Sequence, residues 1–350
     1  MNRAAPTSSC RRTQGVTLVE LLVALLIGAI LTGIALQVFS RSLDVQQTTE
    51  AFSRIQQNAR FANILLSRDL RQADSFGCSN RDNLNSIVAN GGGGPNVDFT
   101  GPAVTGSENP GGASINGSDT ITLRGAGALN TRITNDPGAG AQMFLSSTDG
   151  LRAGDLVMVT NCQGEAAGGA TTTEVFQVTN VDASNGNIVH AAGGTPGNTA
   201  PPTLANAYTG GTAVSVRQVV YRVATSGATG LPTLQASING RPFQDLISDV
   251  HSMQIVYGED TNADDVANRY VPANQVGSMD DVVAVRIQMI VMGGQPNVAR
   301  TGWTDDDDID AGGNLEITYD PAFGGATVTL PDGQLGERIT ITAALRGRLP

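Results

Sequence analysis

Lysine is absent from this chain of 350 residues, histidine occurs twice, and aromatic residues make up only 4%. Without lysine there is no Gly-Lys-Ser/Thr phosphate loop, and neither a Gly-x-Ser-x-Gly elbow nor a dinucleotide fingerprint occurs. His190 and His251 stand in β-like runs without Cys or acidic neighbours at metal-ligand spacing, which reads as packed or surface imidazoles. Gly91 to Gly94, followed by Pro95, lacks the strand before and the helix after that a phosphate cradle requires. Positive charge is also short, with 21 Lys+Arg against 32 Asp+Glu and a net charge of −11. Binding to nucleic-acid phosphates needs clustered positive charge, so no nucleic acid is expected on the bulk surface. These absences remove the usual catalytic constellations, and the expectation is a chain that is not an enzyme.

What is present begins with one long apolar run from Gly15 to Leu36, interrupted by a single carboxylate, Glu20. An ionised side chain is expensive in lipid and marks a function there. Residues 1–15 carry Arg3, Arg11 and Arg12 and no acidic residue, which keeps this end cytoplasmic by the positive-inside rule. At about 1.5 Å per residue, Val16 to Phe39 gives roughly 36 Å of helix, enough for a hydrocarbon core of about 30 Å. The run continues into Ser40, Arg41 and Ser42 without the small-residue cleavage site that ends a secretory signal peptide. Cys10 precedes the apolar region and so is not a lipoprotein site.

Gly15 followed by Val16, Thr17, Leu18, Val19, Glu20, Leu21 and Leu22 resembles the class III signal of type IV pilins and type II secretion pseudopilins. The resemblance implies that a prepilin peptidase cuts between Gly15 and Val16 and methylates the new amine. Val16 departs from the Phe usual in that family. Glu20 becomes the fifth mature residue, and in a helical stack its carboxylate can meet the terminal amine of a neighbouring subunit. Such pairing makes a membrane-buried charge tolerable.

After the span the helical pattern continues. Between Ser40 and Ala73 there is no Pro or Gly, and Phe52, Ile55, Ala59, Ala62 and Leu66 recur at spacings of three and four. That is one buried helical face, with Arg54, Gln57, Arg68 and Arg71 largely away from it. Gly28 and Gly33 are the weak points in the apolar half, and Gly77 is the expected stop. Strands are predicted over 119–124, 155–161, 174–181, 213–223, 250–257, 282–292 and 338–345. Loops are predicted over 89–117, 164–169 and 191–211, where Gly, Pro, Asn and Thr accumulate. The resulting fold is α+β, a pilin-like lollipop with a long N-terminal helix against an antiparallel β-rich globular domain with long loops. Its expected parts are a cleaved leader (1–15), a transmembrane half-helix (16–39), a periplasmic half-helix (40–76) and the β-rich domain (77–350).

Cys10 would leave with the leader, so Cys78 and Cys162 remain as an even pair in an oxidising periplasm, where a disulfide is expected. Asp260, Asn262 and Asp264 stand at positions one, three and five of a loop resembling an EF-hand start, a spacing whose oxygen ligands can converge on Ca²⁺. Asp265 replaces the turn glycine and Val271 the final Glu, so an acidic turn is the alternative. Asp305 to Asp308 with Asp310 reads as a solvated loop, because adjacent carboxylates cannot all face one ion.

The helix exit from Arg68 to Cys78, the stretch from Val256 to Tyr270, the strand from Val282 and the closing Ile339-Thr-Ile-Thr-Ala-Ala-Leu-Arg resemble minor pilins of the type IV pilus. Gly347 follows where that group would have Asn. The resemblance implies a low-abundance subunit that primes pilus assembly and sits at or near the fibre tip. Its implied partners are other minor pilins, the major pilin, the prepilin peptidase, the inner-membrane assembly platform and a tip adhesin. The alternatives are a type II secretion minor pseudopilin of the J type and a tip adhesin-like binding module.

Overall fold

The computed structural model describes residues 17–76, 84–90, 95–111, 114–138, 140–161, 172–294 and 314–345. Contacts divide the chain into two compact units, 1–50 and 51–350. A single helix, α1 (Leu18–Gln72), runs through 55 residues. In the first unit it opens on Thr17, whose hydroxyl accepts the Glu20 N–H at 3.3 Å. This satisfies one of the orphan donors of the first turn, and Thr17-Leu-Val-Glu20 has the spacing of a capping box. The helix continues unbroken past Gly28 and Gly33.

The second unit holds the last part of α1 and the strands. These are β1 (Leu84–Ser86), β2 (Val104–Ser107), β3 (Thr120–Asn135), β4 (Gln142–Leu145), β5 (Leu156–Thr160), β6 (Thr173–Gln177), β7 (Asn180–Asp182), β8 (Asn187–Val189) and β9 (Thr212–Thr225). They continue with β10 (Pro232–Ile238), β11 (Gln244–Ser248), β12 (Val250–Glu259), β13 (Arg269–Val271), β14 (Val282–Met292), β15 (Glu316–Thr318), β16 (Thr327–Thr329) and β17 (Gly336–Ala344).

Among the described residues these strands form an 11-stranded sheet, a 4-stranded sheet and a small β15–β16 pair. The large sheet is organised around β9, which pairs with β3 on one side and with β5 and β10 on the other. The smaller sheet runs β13-β12-β14-β17 and is antiparallel throughout. In the large sheet β1 pairs with β6 in parallel.

The helix stripe is covered by both sheets. Ala62, Leu66, Leu70 and Ala73 share a core with Ile121, Val219, Tyr221 and Leu234 of the large sheet and with Met253, Ile255, Val285, Ile287 and Met289 of the smaller one. Ala51 and Ile55 pack instead with Val256, Ile290, Val291 and the segment Leu315 to Leu335. Burying a Leu or Ile fully contributes about 1.5–3 kcal/mol, so this stripe is a main tether of the helix.

Three sequence expectations need correction. The helix ends at Gln72, ahead of Gly77, which lies outside the described residues. Asp74 takes a left-handed φ of 63°, a conformation Asp tolerates better than most residues. The expected loop 89–117 contains β2, which pairs with Thr120 to Leu123 although it holds only Val104 and Thr105 as strand formers. The β10–β11 hairpin is also additional to the expected strands. It begins at Pro232, a residue tolerated as the first of a strand.

Candidate assembly site

Glu20 lies in the first turn of α1 and is exposed, as are the apolar residues around it. Negative charge there is favoured by the positive end of the helix dipole. Leu18 through Phe39 shows a run of exposed Leu, Ile and Val side chains, and an 18-residue window of this helix has no residue buried. Among the described residues this is the one helix long and apolar enough to cross a membrane. A surface so apolar requires lipid or other helices around it. Gly15 and Val16, the expected cleavage and methylation positions, lie outside the described residues.

At the other end of α1 is a network that the residue pattern did not signal. Asp69 is buried and accepts the Tyr221 hydroxyl at 2.6 Å. It also pairs with the Arg217 guanidinium, and with Arg68 Nε at 3.0 Å. Burial and then the Asp69 carboxylate push the Tyr221 hydroxyl far above its ordinary value, so it remains a donor. The sequence hint was an acidic residue on the buried side of a helix, where an unpaired charge would not survive. The network borders a cleft of about 250 Å³ lined also by Gln72, Arg124 and Gly125.

The backbone closes this junction. Asp74 N–H donates to Arg124 C=O at 2.9 Å and Ala126 N–H to Ser75 C=O at 2.7 Å, so the chain leaving α1 is held along β3. Gly125 is required by the close approach: a Cβ there would lie 2.2 Å from the Gln72 carbonyl oxygen.

Asp260, Asn262 and Asp264 fall in the β12–β13 turn, where hydrogen bonds within the turn hold them. Asp260 accepts the N–H groups of Asn262, Ala263 and Asp265 at 3.0, 2.8 and 2.7 Å. Burial opposes its ionisation, but these donors outweigh burial and hold the carboxyl below its ordinary value. Asp264 accepts Asn262 Nδ2 and the Val266 N–H, each at 3.0 Å. Asp265 itself supplies the left-handed residue, with φ 61°, where an EF-hand has glycine. Among the described residues no group of three or more His, Cys, Asp or Glu is placed to hold a metal ion.

His190 and His251 are both buried, the first against Phe176 with ring centroids 4.7 Å apart. Burial lowers the pKa of each. Cys78, Cys162 and the Asp305 to Asp310 stretch lie outside the described residues.

Residues 10–36 match the family model of the prokaryotic N-terminal methylation motif, the class of signal that the residues around Gly15 resemble. Residues 220–327 match the model described as Type IV Pilus-assembly protein W, PilW, a stretch from the end of β9 into β16. A type IV-like pilin from Thermus thermophilus is similar in structure at 10% identity and a TM-score of 0.31, over 85% of this chain and 98% of that one. No curated protein sequence matches the chain.

Proposed function

We propose that this chain is a minor pilin of the type IV pilus that helps to prime assembly and sits at or near the fibre tip. The observation that carries the reading is Glu20, one carboxylate in the first turn of an otherwise apolar helix, five residues after Gly15, within the stretch that matches the methylation motif. The match at 220–327 supports the pilus over type II secretion.

In this reading the peptidase cuts after Gly15 and methylates Val16. The helix from Val16 to Phe39 then anchors the chain in the inner membrane, with residues 40–350 in the periplasm. On assembly the helix leaves lipid for the filament core, and Glu20 pairs with the terminal amine of a neighbouring subunit. The β-rich unit presents its loops to other minor pilins or to a tip adhesin. The protein's work is structural and involves no catalysis.

Glu20→Ala should leave membrane insertion and cleavage intact while the chain disappears from sheared pili. Normal recovery of the variant in pili would sink the docking role. Deleting the gene should abolish piliation with exoprotein secretion unchanged; the reverse result would favour the secretion pseudopilin. Mass spectrometry of the mature N-terminus should find N-methylated Val16.

A further inference from the structure

A second cleft, of about 230 Å³, adjoins the one beside Asp69 and shares Gly127 and Arg217 with it. It opens where the register of β3 on β9 breaks between Ala126 and Asn130. A bulge of this kind bends its strand and interrupts the ladder, and here the Leu129 N–H donates to the Ser215 hydroxyl at 2.9 Å. Leu129, Leu151, Leu156 and Val216, all buried, line the interior, and Ile238 stands beside them 42% exposed. An apolar side chain entering the cleft would therefore leave water for a hydrocarbon surface.

Two carboxylates, Asp149 and Asp155, line the same cleft. Asp155 accepts the Arg152 N–H at 2.8 Å through one of its oxygens. Among the described residues neither carboxylate takes part in an ion pair. The one cation among the described lining residues, Arg217, is bound to Asp69 on the other side. The cleft thus joins an apolar interior to two carboxylates with which no described cation of this chain is paired, on a chain whose net charge is −11.

We propose that this cleft receives a lysine side chain of a different subunit. The four-carbon stem lies against Leu129, Leu151 and Val216, and the ammonium meets Asp149 and Asp155. Burial of the stem and pairing of the head favour the same occupant. An ammonium has three rotatable donors and can bridge carboxylates that come from two positions of the chain, whereas the guanidinium fork matches a single carboxylate. This chain has no lysine, so a second copy cannot supply the side chain. The inference rests on the filament reading and concerns a contact separate from that of Glu20.

The test treats sheared pili with a water-soluble carbodiimide, which joins a carboxylate to an amine in contact with it through an amide bond, with loss of water, and maps the crosslinked peptides. Without lysine the mature chain has its N-terminus as its one amine, so an adduct to any lysine reports another subunit. The expected product is an amide between Asp149 or Asp155 and a lysine of another pilin subunit. Ile238→Arg leaves both carboxylates in place and sets this chain's own cation beside them. It should reduce the yield per chain by at least about tenfold, while labelling of the exposed Asp182 by a small added amine stays unchanged. Loss of the Ile238→Arg chain from pili, with the Ile238→Ala chain retained, would count as the same result. A wild-type chain present in pili without such an adduct, an adduct to its own N-terminus alone, or one indifferent to Ile238→Arg would overturn the cleft assignment alone. Absence of the wild-type chain from pili would overturn the filament reading and the cleft assignment with it.

Discussion

Asp119 is a carboxylic acid whose ionisation the fold resists. It is buried at the start of β3, and its carboxylate accepts the N–H groups of Asn109 at 3.0 Å and Ile255 at 2.8 Å. Burial, with the nearby Glu108 charge, outweighs these donors and raises its pKa from 3.8 to about 7. The hydroxyl of Tyr257, another neighbour in the electrostatic sense, is fully buried without a hydrogen-bond partner among the described residues. Because the folded state holds the Asp119 proton more tightly than the unfolded one, its contribution to stability is fully present below the unfolded value and is lost as pH rises through about 7. The buried His190 acts the other way: its lowered pKa makes stability rise as pH climbs toward 6.5. Comparing the wild type with Asp119→Asn cancels the histidine. The difference in denaturation free energy should change between about pH 5 and 7 with a slope approaching about 1.4 kcal/mol per pH unit. The Asp119→Asn variant should also be less stable than the wild type at low pH, since its amide nitrogen faces one of the two N–H donors. Parallel stability profiles would remove the buried-acid account.

At the scale of elements, the helix and the best strand were legible because their periods are long and regular. The spacing of Ile55, Ala62 and Leu66 identified the buried face, and β14 occupies the predicted 282–292. The end of the helix was not legible, because a tertiary contact determines it. Gln72 meets Gly125, and that glycine stands in a stretch whose strand character, continuing to Asn135, is diluted by Gly and Ala. Short strands such as β2 and β4 were equally hidden, since four residues carry too little alternation to outweigh a turn-rich setting. Among the proposed site residues, Glu20 was legible from charge in an apolar run. The Asp69 network was not, because its partners lie 148 and 152 residues away in sequence. The importance of the junction can be measured at Gly125. A Cβ 2.2 Å from a backbone oxygen forces the helix exit or β3 to move, so Gly125→Ala should cost about 1–3 kcal/mol in a denaturant titration. Unchanged stability would mean that the two backbones separate without consequence.

At the scale of the molecule, the question is how a β-rich unit with so many glycines keeps its outlying layers attached to α1. The packed stripe joins the helix to both sheets, but the edge formed by β1, β5 and β6 reaches it through Phe76, just past the helix. Phe76 lies in a cluster with Leu156 and Met158 of β5 and Val175 of β6. Cys78 is two residues beyond Phe76, and Cys162 two residues beyond the last residue of β5; both cysteines lie outside the described residues. We propose that the two, an even pair in an oxidising periplasm once Cys10 has left with the leader, form a disulfide. Closing a loop of this length stabilises by about 4 kcal/mol on the chain-entropy view, a large share of the about 5–15 kcal/mol typical of folded proteins. The mature chain extracted from membranes should therefore show no reactive thiol under denaturing, non-reducing conditions, and two after reduction. Reduction should also lower its resistance to urea, with Cys78→Ser and Cys162→Ser each reproducing the loss. Two thiols reactive before reduction would refute the bridge, and the attachment of the β5 edge would then rest on the Phe76 cluster alone.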